Sequence, residues 1–183
     1  MERKIYFVRH GESVANVRQT FAGQRENSPL TERGREQARA AAKGLISRGV
    51  KIGKIISSPL LRAKETMEII VEEAGLHEVE VIIDERIAEY DMGSLTGSLL
   101  RKVTSLELVS AEGVEDPNHF MERVHNLLDE LVAFEENVLL VSHAGVGRVI
   151  EAKKQGRKAE EFYDLSAYPN AEIIEILYTS PTY

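Results

Sequence analysis

Short apolar segments of strand length alternate along this chain with longer segments of helical periodicity. The predicted strands lie at 5–8, 54–57, 79–83, 138–141 and 171–178. The segment 138–141 reads Val-Leu-Leu-Val, and such a continuous apolar run is typical of a central parallel strand buried on both faces. The alternation predicts an α/β fold: a three-layer sandwich with a mostly parallel central sheet and helices on both faces.

Capping residues mark where the intervening helices begin and end. Thr31 is a predicted N-cap, and Gly75 is predicted to end the second long helix. The pairs Ser58-Pro59 and Asp116-Pro117 each predict an N-cap followed by proline at the first helical position. A further helix is predicted at 145–155. Residues 93–116 are less regular and predict a lid-like excursion with one short helix.

Length and composition narrow the class of protein. A chain of 183 residues predicts one domain, 1–183, since domains average about 150 residues. The absence of cysteine excludes a disulfide scaffold, a cysteine-ligated metal site and a cysteine nucleophile. The net charge of −7 argues against nucleic acid as a partner. No apolar run reaches the roughly 18 residues of a membrane span, so we expect a soluble, cytoplasmic protein.

Two of the predicted strands run directly into a histidine. The first is followed by Arg9-His10-Gly11-Glu12 and the fourth by Ser142-His143-Ala144-Gly145. The second leads into a helix that carries Arg62 in its first turn. Ligands of open α/β sheets bind beyond the carboxyl ends of the strands. These side chains are therefore predicted to lie together at that edge of the sheet, which we call the rim. The planar guanidinium of arginine and the N–H groups at helix N-termini both bind anionic oxygens, so phosphate is the favoured ligand.

Less specific interpretations apply to single residues. A lone histidine after a strand is more often structural than catalytic, and His77, His119 and His125 are assigned no role. A metal site is a weaker hypothesis for the rim, because His10 and His143 lack a third ligand and neighbouring arginines repel a cation. Two strand-end histidines with two arginines favour a small phosphorylated substrate.

The motifs together resemble the histidine phosphatase superfamily, in its phosphoglycerate-mutase-like branch. The opening motif is Arg9-His10-Gly11-Glu12-Ser13 with Asn16. The later matches are Pro29-Leu30-Thr31 with Gly34, Ser57-Ser58-Pro59-Leu60 with Arg62, Glu89-Tyr90-Asp91-Met92-Gly93, and Ser142-His143-Ala144-Gly145. They occur in the family's order from residue 5 to about residue 147.

The resemblance implies a role for each matched residue. His10 would be the nucleophile that forms a phosphohistidine, and Glu89 the proton donor. Arg9, Arg62 and His143 would hold the phosphoryl oxygens. Asn16 and Gly23 would line the substrate side. Two guanidiniums and a histidine supply the positive charge, so no metal or cofactor is expected.

The family contains both hydrolases and mutases. The short excursion contains Arg101 and Lys102 but no adjacent arginine pair, and Tyr90 replaces the basic residue that mutases carry after the acid. These features favour a phosphomonoester hydrolase that acts on a small metabolite. A cofactor-dependent phosphoglycerate mutase and a non-catalytic phosphate-binding module are the alternatives. Leu95 and Thr96 depart from the pattern of many small hydrolases, which leaves the substrate open. The sequence does not predict an oligomeric state.

Overall fold

The computed structural model describes residues 4–176. The strands are β1 (Ile5–Arg9), β2 (Lys54–Ser57), β3 (Glu80–Ile83), β4 (Val138–Ser142) and β5 (Ile173–Ile176). The α-helices are α1 (Val14–Arg18), α2 (Glu32–Ser47), α3 (Leu61–Ala74), α4 (Glu107–Ser110), α5 (Pro117–Leu131) and α6 (Ala144–Lys154). Short 3₁₀ turns occupy Glu85–Ile87, Gly93–Leu95, Leu100–Lys102 and Ala159–Asp164.

The strands form one sheet in the order β3-β2-β4-β1-β5, in which only β5 is antiparallel to its neighbour. The predicted mostly parallel sheet is confirmed. Its register pairs Arg9 with Ser142 at the carboxyl ends of β1 and β4. The next residues, His10 and His143, therefore leave the sheet side by side.

The core lies on both faces of the sheet, because side chains alternate along each strand. One face presents Phe7 and Leu140, which belong to a cluster with residues of α5 and α6. The other presents Val8 and Leu139, which cluster with residues of α2 and α3. This is the predicted three-layer sandwich.

Most predicted helix ends are confirmed. The Thr31 hydroxyl accepts the Gly34 N–H at 3.0 Å, and the Asp116 carboxylate accepts the Asn118 N–H at 2.8 Å. Gly75 ends α3 with a φ of 65°. The prediction for the start of α3 is wrong: its N-cap is Leu60, not Ser58. The Ser58 hydroxyl instead contacts a residue of the candidate active site.

Smaller differences concern element lengths. Strand β3 begins at residue 80, β4 extends to Ser142, and α6 begins at Ala144 and ends one residue early. Strand β5 begins at Ile173, and predicted residues 177–178 lie outside the described range. The sequence did not predict helix α1, because five residues are too few to show a helical period.

The excursion at 93–116 contains α4 and two 3₁₀ turns rather than one short helix. Its middle is hydrogen-bonded to the segment that follows α1. The Phe21 N–H donates to the Ser98 carbonyl at 3.1 Å, and the Leu100 N–H donates to the Gln19 carbonyl at 2.9 Å. These bonds hold the excursion beside the carboxyl edge of the sheet.

Candidate active site

The two strand-end histidines form the centre of the site. The ring centroids of His10 and His143 are 5.2 Å apart, with the planes tilted by 60°. Both side chains are buried. The parallel pairing of β1 with β4 produces this proximity between residues that are far apart in sequence.

The protonation of His10 follows from its backbone contact. His10 Nδ1 lies 2.7 Å from the Gly11 carbonyl oxygen. A carbonyl only accepts hydrogen bonds, so Nδ1 carries the proton and Nε2 carries the lone pair. Burial lowers the pKa of His10 well below its usual value, and the charges of Arg62 and Arg9 lower it further. The ring is therefore neutral near pH 7, with a nucleophilic nitrogen.

The protonation of His143 is set by Ser58. Its Nε2 lies 2.7 Å from the Ser58 hydroxyl oxygen, which also accepts the Leu60 N–H at 3.3 Å. In the part of the chain that the structure describes, the Ser58 hydroxyl has no other hydrogen-bond acceptor. The hydroxyl therefore donates to Nε2, which places the ring proton on Nδ1. That buried Nδ1 has no hydrogen-bond partner among residues 4–176.

Replacing Ser58 with alanine is expected to lower kcat/KM by about 10- to 100-fold, as for other groups that orient a site histidine. Without the hydroxyl, His143 loses the contact that selects its tautomer. NMR of the ring nitrogens should show the proton on Nδ1 of His143 in the wild type and a mixture in Ser58→Ala.

Two variants complete this test. Ser58→Thr keeps the hydroxyl and is expected to restore the tautomer. Ser57→Ala removes a neighbouring buried hydroxyl that donates to the Ser58 carbonyl, and it is the matched control. An unchanged ring tautomer in Ser58→Ala would contradict the assignment.

Two guanidiniums lie near His10: Arg62 is buried and Arg9 is half-buried. Arg62 donates to the Gly23 carbonyl at 2.8 Å, and Arg9 donates to the Tyr168 carbonyl at 3.0 Å. Burial lowers the pKa of both guanidiniums, while the charge of Glu89 raises it. Two cations next to one carboxylate leave a positively charged site that suits a phosphoryl group.

Backbone contacts orient the carboxylate of Glu89. Its Oε1 accepts the N–H of Tyr90 at 2.9 Å and that of Gly145 at 3.1 Å. A Cβ at residue 145 would collide with Glu89 Oε1, so this contact requires glycine. Arg123 donates to the carbonyls of Ala88 and Glu89 at 2.8 and 3.1 Å, which holds the acidic segment in place.

Several of these groups line one cavity of about 240 Å³. Its lining includes the predicted residues Arg9, His10, Asn16, Gly23, Arg62 and Glu89. His143 lies buried against the His10 ring and does not line the cavity. Asn16 also completes the cap of α1, since its Oδ1 accepts the Ser13 N–H at 3.0 Å. Gly23 has a φ of 53°, a conformation that favours glycine.

Sequence reasoning missed several residues of the site and its surroundings. Ser58 was interpreted as a helix cap, and Arg123 was assigned no role. Arg148 and Tyr163 also line the cavity. Arg148 lies in α6, about one turn after the motif Ser142-His143-Ala144-Gly145. This position was the local signal by which Arg148 could have been found.

Two of the remaining histidines lie away from the cavity. His77 pairs with Glu72 at 3.8 Å and His119 with Glu115 at 3.1 Å, both outside the cavity lining. Within residues 4–176, no group of three or more histidine, aspartate or glutamate side chains is arranged to hold a metal ion. No helix in the same range is long and apolar enough to cross a bilayer.

Curated relatives match about half of this chain. A 2,3-bisphosphoglycerate-dependent phosphoglycerate mutase of Methylobacterium radiotolerans is 41% identical over 97 residues, which cover 53% of this chain and 45% of the relative. The chain thus spans about half the length of the curated relatives that it matches.

The solved structures match over nearly the whole chain. Mycobacterial glucosyl-3-phosphoglycerate phosphatase, in complex with VO3, has a TM-score of 0.78 at 29% identity and covers 95% of this chain and 92% of that chain. Bacillus stearothermophilus YhfR has a TM-score of 0.84 at 25% identity and covers 99% of this chain and 94% of that chain. A profile of the histidine phosphatase superfamily, branch 1, matches residues 5–182. This chain belongs to that superfamily.

Proposed function

We propose that the protein is a metal-independent phosphomonoester hydrolase that acts on a small phosphorylated metabolite through a phosphohistidine. One observation carries the proposal: a neutral imidazole with a free Nε2 lines the same cavity as the guanidiniums of Arg9 and Arg62 and the carboxyl group of Glu89. The cavity of about 240 Å³ is small beside the roughly 300–1,000 Å³ of drug-sized sites, which favours a small substrate.

In the first step, the lone pair of His10 Nε2 attacks phosphorus while the bond to the ester oxygen breaks. Arg9 and Arg62, which line the cavity, stabilise the charge that spreads over the equatorial oxygens. Glu89, which enters this step as the carboxylic acid, gives its proton to the departing alkoxide. The products are the free alcohol, a Glu89 carboxylate and a phosphohistidine.

In the second step, the Glu89 carboxylate takes a proton from water as the water oxygen attacks phosphorus. The bond between phosphorus and Nε2 breaks, and its electron pair returns to the ring. Inorganic phosphate leaves, and both His10 and Glu89 regain their starting protonation states. One carboxyl group thus acts first as acid and then as base.

The excursion supports hydrolysis rather than mutase chemistry. Arg101 and Lys102 are exposed and lie outside the cavity lining, whereas their neighbour Leu100 lines it. The excursion therefore adds no cation to hold the second anionic end of a bisphosphate. The similar mycobacterial structure is named a phosphatase, which supports the same choice. The curated relatives named phosphoglycerate mutase support the second candidate function.

The test measures phosphate released from metabolite phosphates in the presence of a metal chelator. In parallel, 3-phosphoglycerate is incubated with and without 2,3-bisphosphoglycerate. We expect phosphate release that needs no bisphosphate. Bisphosphate-dependent formation of the 2-isomer, faster than phosphate release, would establish the mutase. Phosphate binding without turnover of any ester would establish the non-catalytic module.

A further inference from the structure

The segment just before β5 contacts the backbone of His10. Asn170 Nδ2 donates to the His10 carbonyl oxygen at 2.8 Å, and the same nitrogen lies 3.5 Å from Asn16 Oδ1. A carbonyl oxygen only accepts hydrogen bonds, so the first contact fixes which end of the Asn170 amide faces His10. Asn170 is 160 positions away from His10 in sequence and does not line the cavity. Its amide therefore acts on the site through the residues that it holds.

The backbone that carries this amide leaves the regular pairing of β1 with β5. Val8 pairs with Ile173, and extending this register by one residue would place Glu172 opposite Arg9. The Arg9 carbonyl instead accepts the N–H of Ala171 at 2.8 Å, and Ala171 has a left-handed φ of 53°. A one-residue shift of this kind is the pattern of a β-bulge, and bulges beside active sites redirect side chains.

The contact holds one particular peptide group, the one between His10 and Gly11. Its carbonyl oxygen accepts the Asn170 amide, and its N–H donates to the buried hydroxyl of Thr66 at 3.0 Å. The Thr66 hydroxyl donates in turn to the Arg62 carbonyl at 2.7 Å. Both polar ends of this peptide group are thus bound by side chains from other segments.

The same peptide group determines where the Gly11 carbonyl lies. That carbonyl accepts the proton on His10 Nδ1 at 2.7 Å, which leaves the lone pair on Nε2. A Cβ at residue 11 would collide with the Gly34 carbonyl, so this position requires glycine. Because glycine has no side chain to restrict its backbone, the hydrogen bonds to the preceding peptide group keep the Gly11 carbonyl on Nδ1.

We propose that Asn170 is a positioning residue for the nucleophile. By holding the peptide group between His10 and Gly11, it keeps the Gly11 carbonyl on Nδ1 of the ring and the Nε2 lone pair directed into the cavity. This inference rests on the proposed function, in which His10 forms a phosphohistidine. It adds to that reaction a residue that does not touch the substrate. A displacement of about 1 Å at a reacting group can cost about 100-fold in rate.

Replacement of Asn170 with alanine is expected to lower kcat/KM for p-nitrophenyl phosphate by about 10- to 100-fold. The loss should fall on kcat rather than KM, because the guanidiniums of Arg9 and Arg62 keep their own partners and still hold the phosphoryl group. NMR of the ring nitrogens should show the His10 proton on Nδ1 in the wild type. In Asn170→Ala we expect a mixture of the two ring tautomers.

Asn137 provides the matched control. Its amide also joins distant segments, since Oδ1 accepts the Lys4 N–H at 2.9 Å and Nδ2 donates to the Lys51 carbonyl at 2.8 Å. It directly precedes β4 and therefore lies at the opposite, amino edge of the sheet. Asn137→Ala is expected to keep the wild-type kcat/KM and the His10 tautomer, even where it lowers Tm as much as Asn170→Ala does.

A second variant keeps the shape of the side chain. Asn170→Asp has nearly the same size, but a carboxylate cannot donate to the His10 carbonyl. It is expected to lower kcat/KM at least as much as Asn170→Ala. Thermal unfolding of each variant shows whether the protein remains folded at the assay temperature.

The outcomes separate the positioning role from the function on which it rests. Wild-type kcat/KM in either Asn170 variant, or an unchanged His10 tautomer in Asn170→Ala, would overturn the positioning role and leave the hydrolase standing. A wild-type protein that hydrolyses no ester would overturn the hydrolase. The ring tautomer in Asn170→Ala would still decide whether Asn170 positions His10.

Discussion

Replacement of His10 with alanine is expected to reduce phosphomonoester hydrolysis by at least about ten-thousandfold, because it removes the nucleophile. The remaining groups would still bind phosphate, but none presents an unprotonated nitrogen at this place in the cavity. Turnover of p-nitrophenyl phosphate measures the loss. The far-ultraviolet circular dichroism of the variant should match the wild type.

If His10 is the nucleophile, the phosphorylated protein itself should be detectable during turnover. Rapid mixing with radiolabelled substrate, quenched at alkaline pH, is expected to trap label on the wild-type protein and none on His10→Ala. His125→Ala is the matched control, because His125 is a partly buried histidine of α5 that does not line the cavity. Intact turnover without trapped label would instead indicate direct attack by water.

Replacement of Glu89 with glutamine is expected to lower kcat/KM for alkyl phosphates by about 10²- to 10⁴-fold. Glutamine has nearly the shape of glutamate, and its carbonyl oxygen can still accept the N–H groups of Tyr90 and Gly145. It cannot donate a proton to an alkoxide and remain neutral. The loss therefore measures proton transfer rather than altered packing.

The leaving group distinguishes this role from a purely electrostatic one. p-Nitrophenolate departs without a proton, so kcat/KM for p-nitrophenyl phosphate should fall much less than for butyl phosphate. Glu12→Gln is the matched control: its carboxylate accepts the Thr31 hydroxyl at 2.9 Å, pairs with Arg33 at 3.5 Å and does not line the cavity. Equal losses for both esters would show that Glu89 acts through its charge alone.

Much of the fold followed from local patterns. The apolar runs that became β1 and β4 and the Asp116-Pro117 cap are readable because strand burial and helix capping depend on neighbouring residues. The proximity of His10 and His143 followed from topology, since the carboxyl ends of parallel strands meet at one edge.

Ser58 shows where local reasoning failed. A serine before a proline predicts an N-cap, yet α3 begins at Leu61 and the hydroxyl contacts His143. The contact joins residues that are 85 positions apart in sequence, so no local pattern could favour it over capping. Arg123 is similar: its bonds to the carbonyls of Ala88 and Glu89 cross from α5 to the acidic segment.

The sequence by itself determined the layered α/β architecture, the family and the residue types that meet at the rim. These properties depend on periodicity, on capping and on motifs that are contiguous in the chain. The tertiary structure decided which nitrogen of each of the two site histidines carries the proton and which side chains line the cavity with them. Both depend on single hydrogen bonds and contacts between distant segments, and a shift of about one ångström would change them.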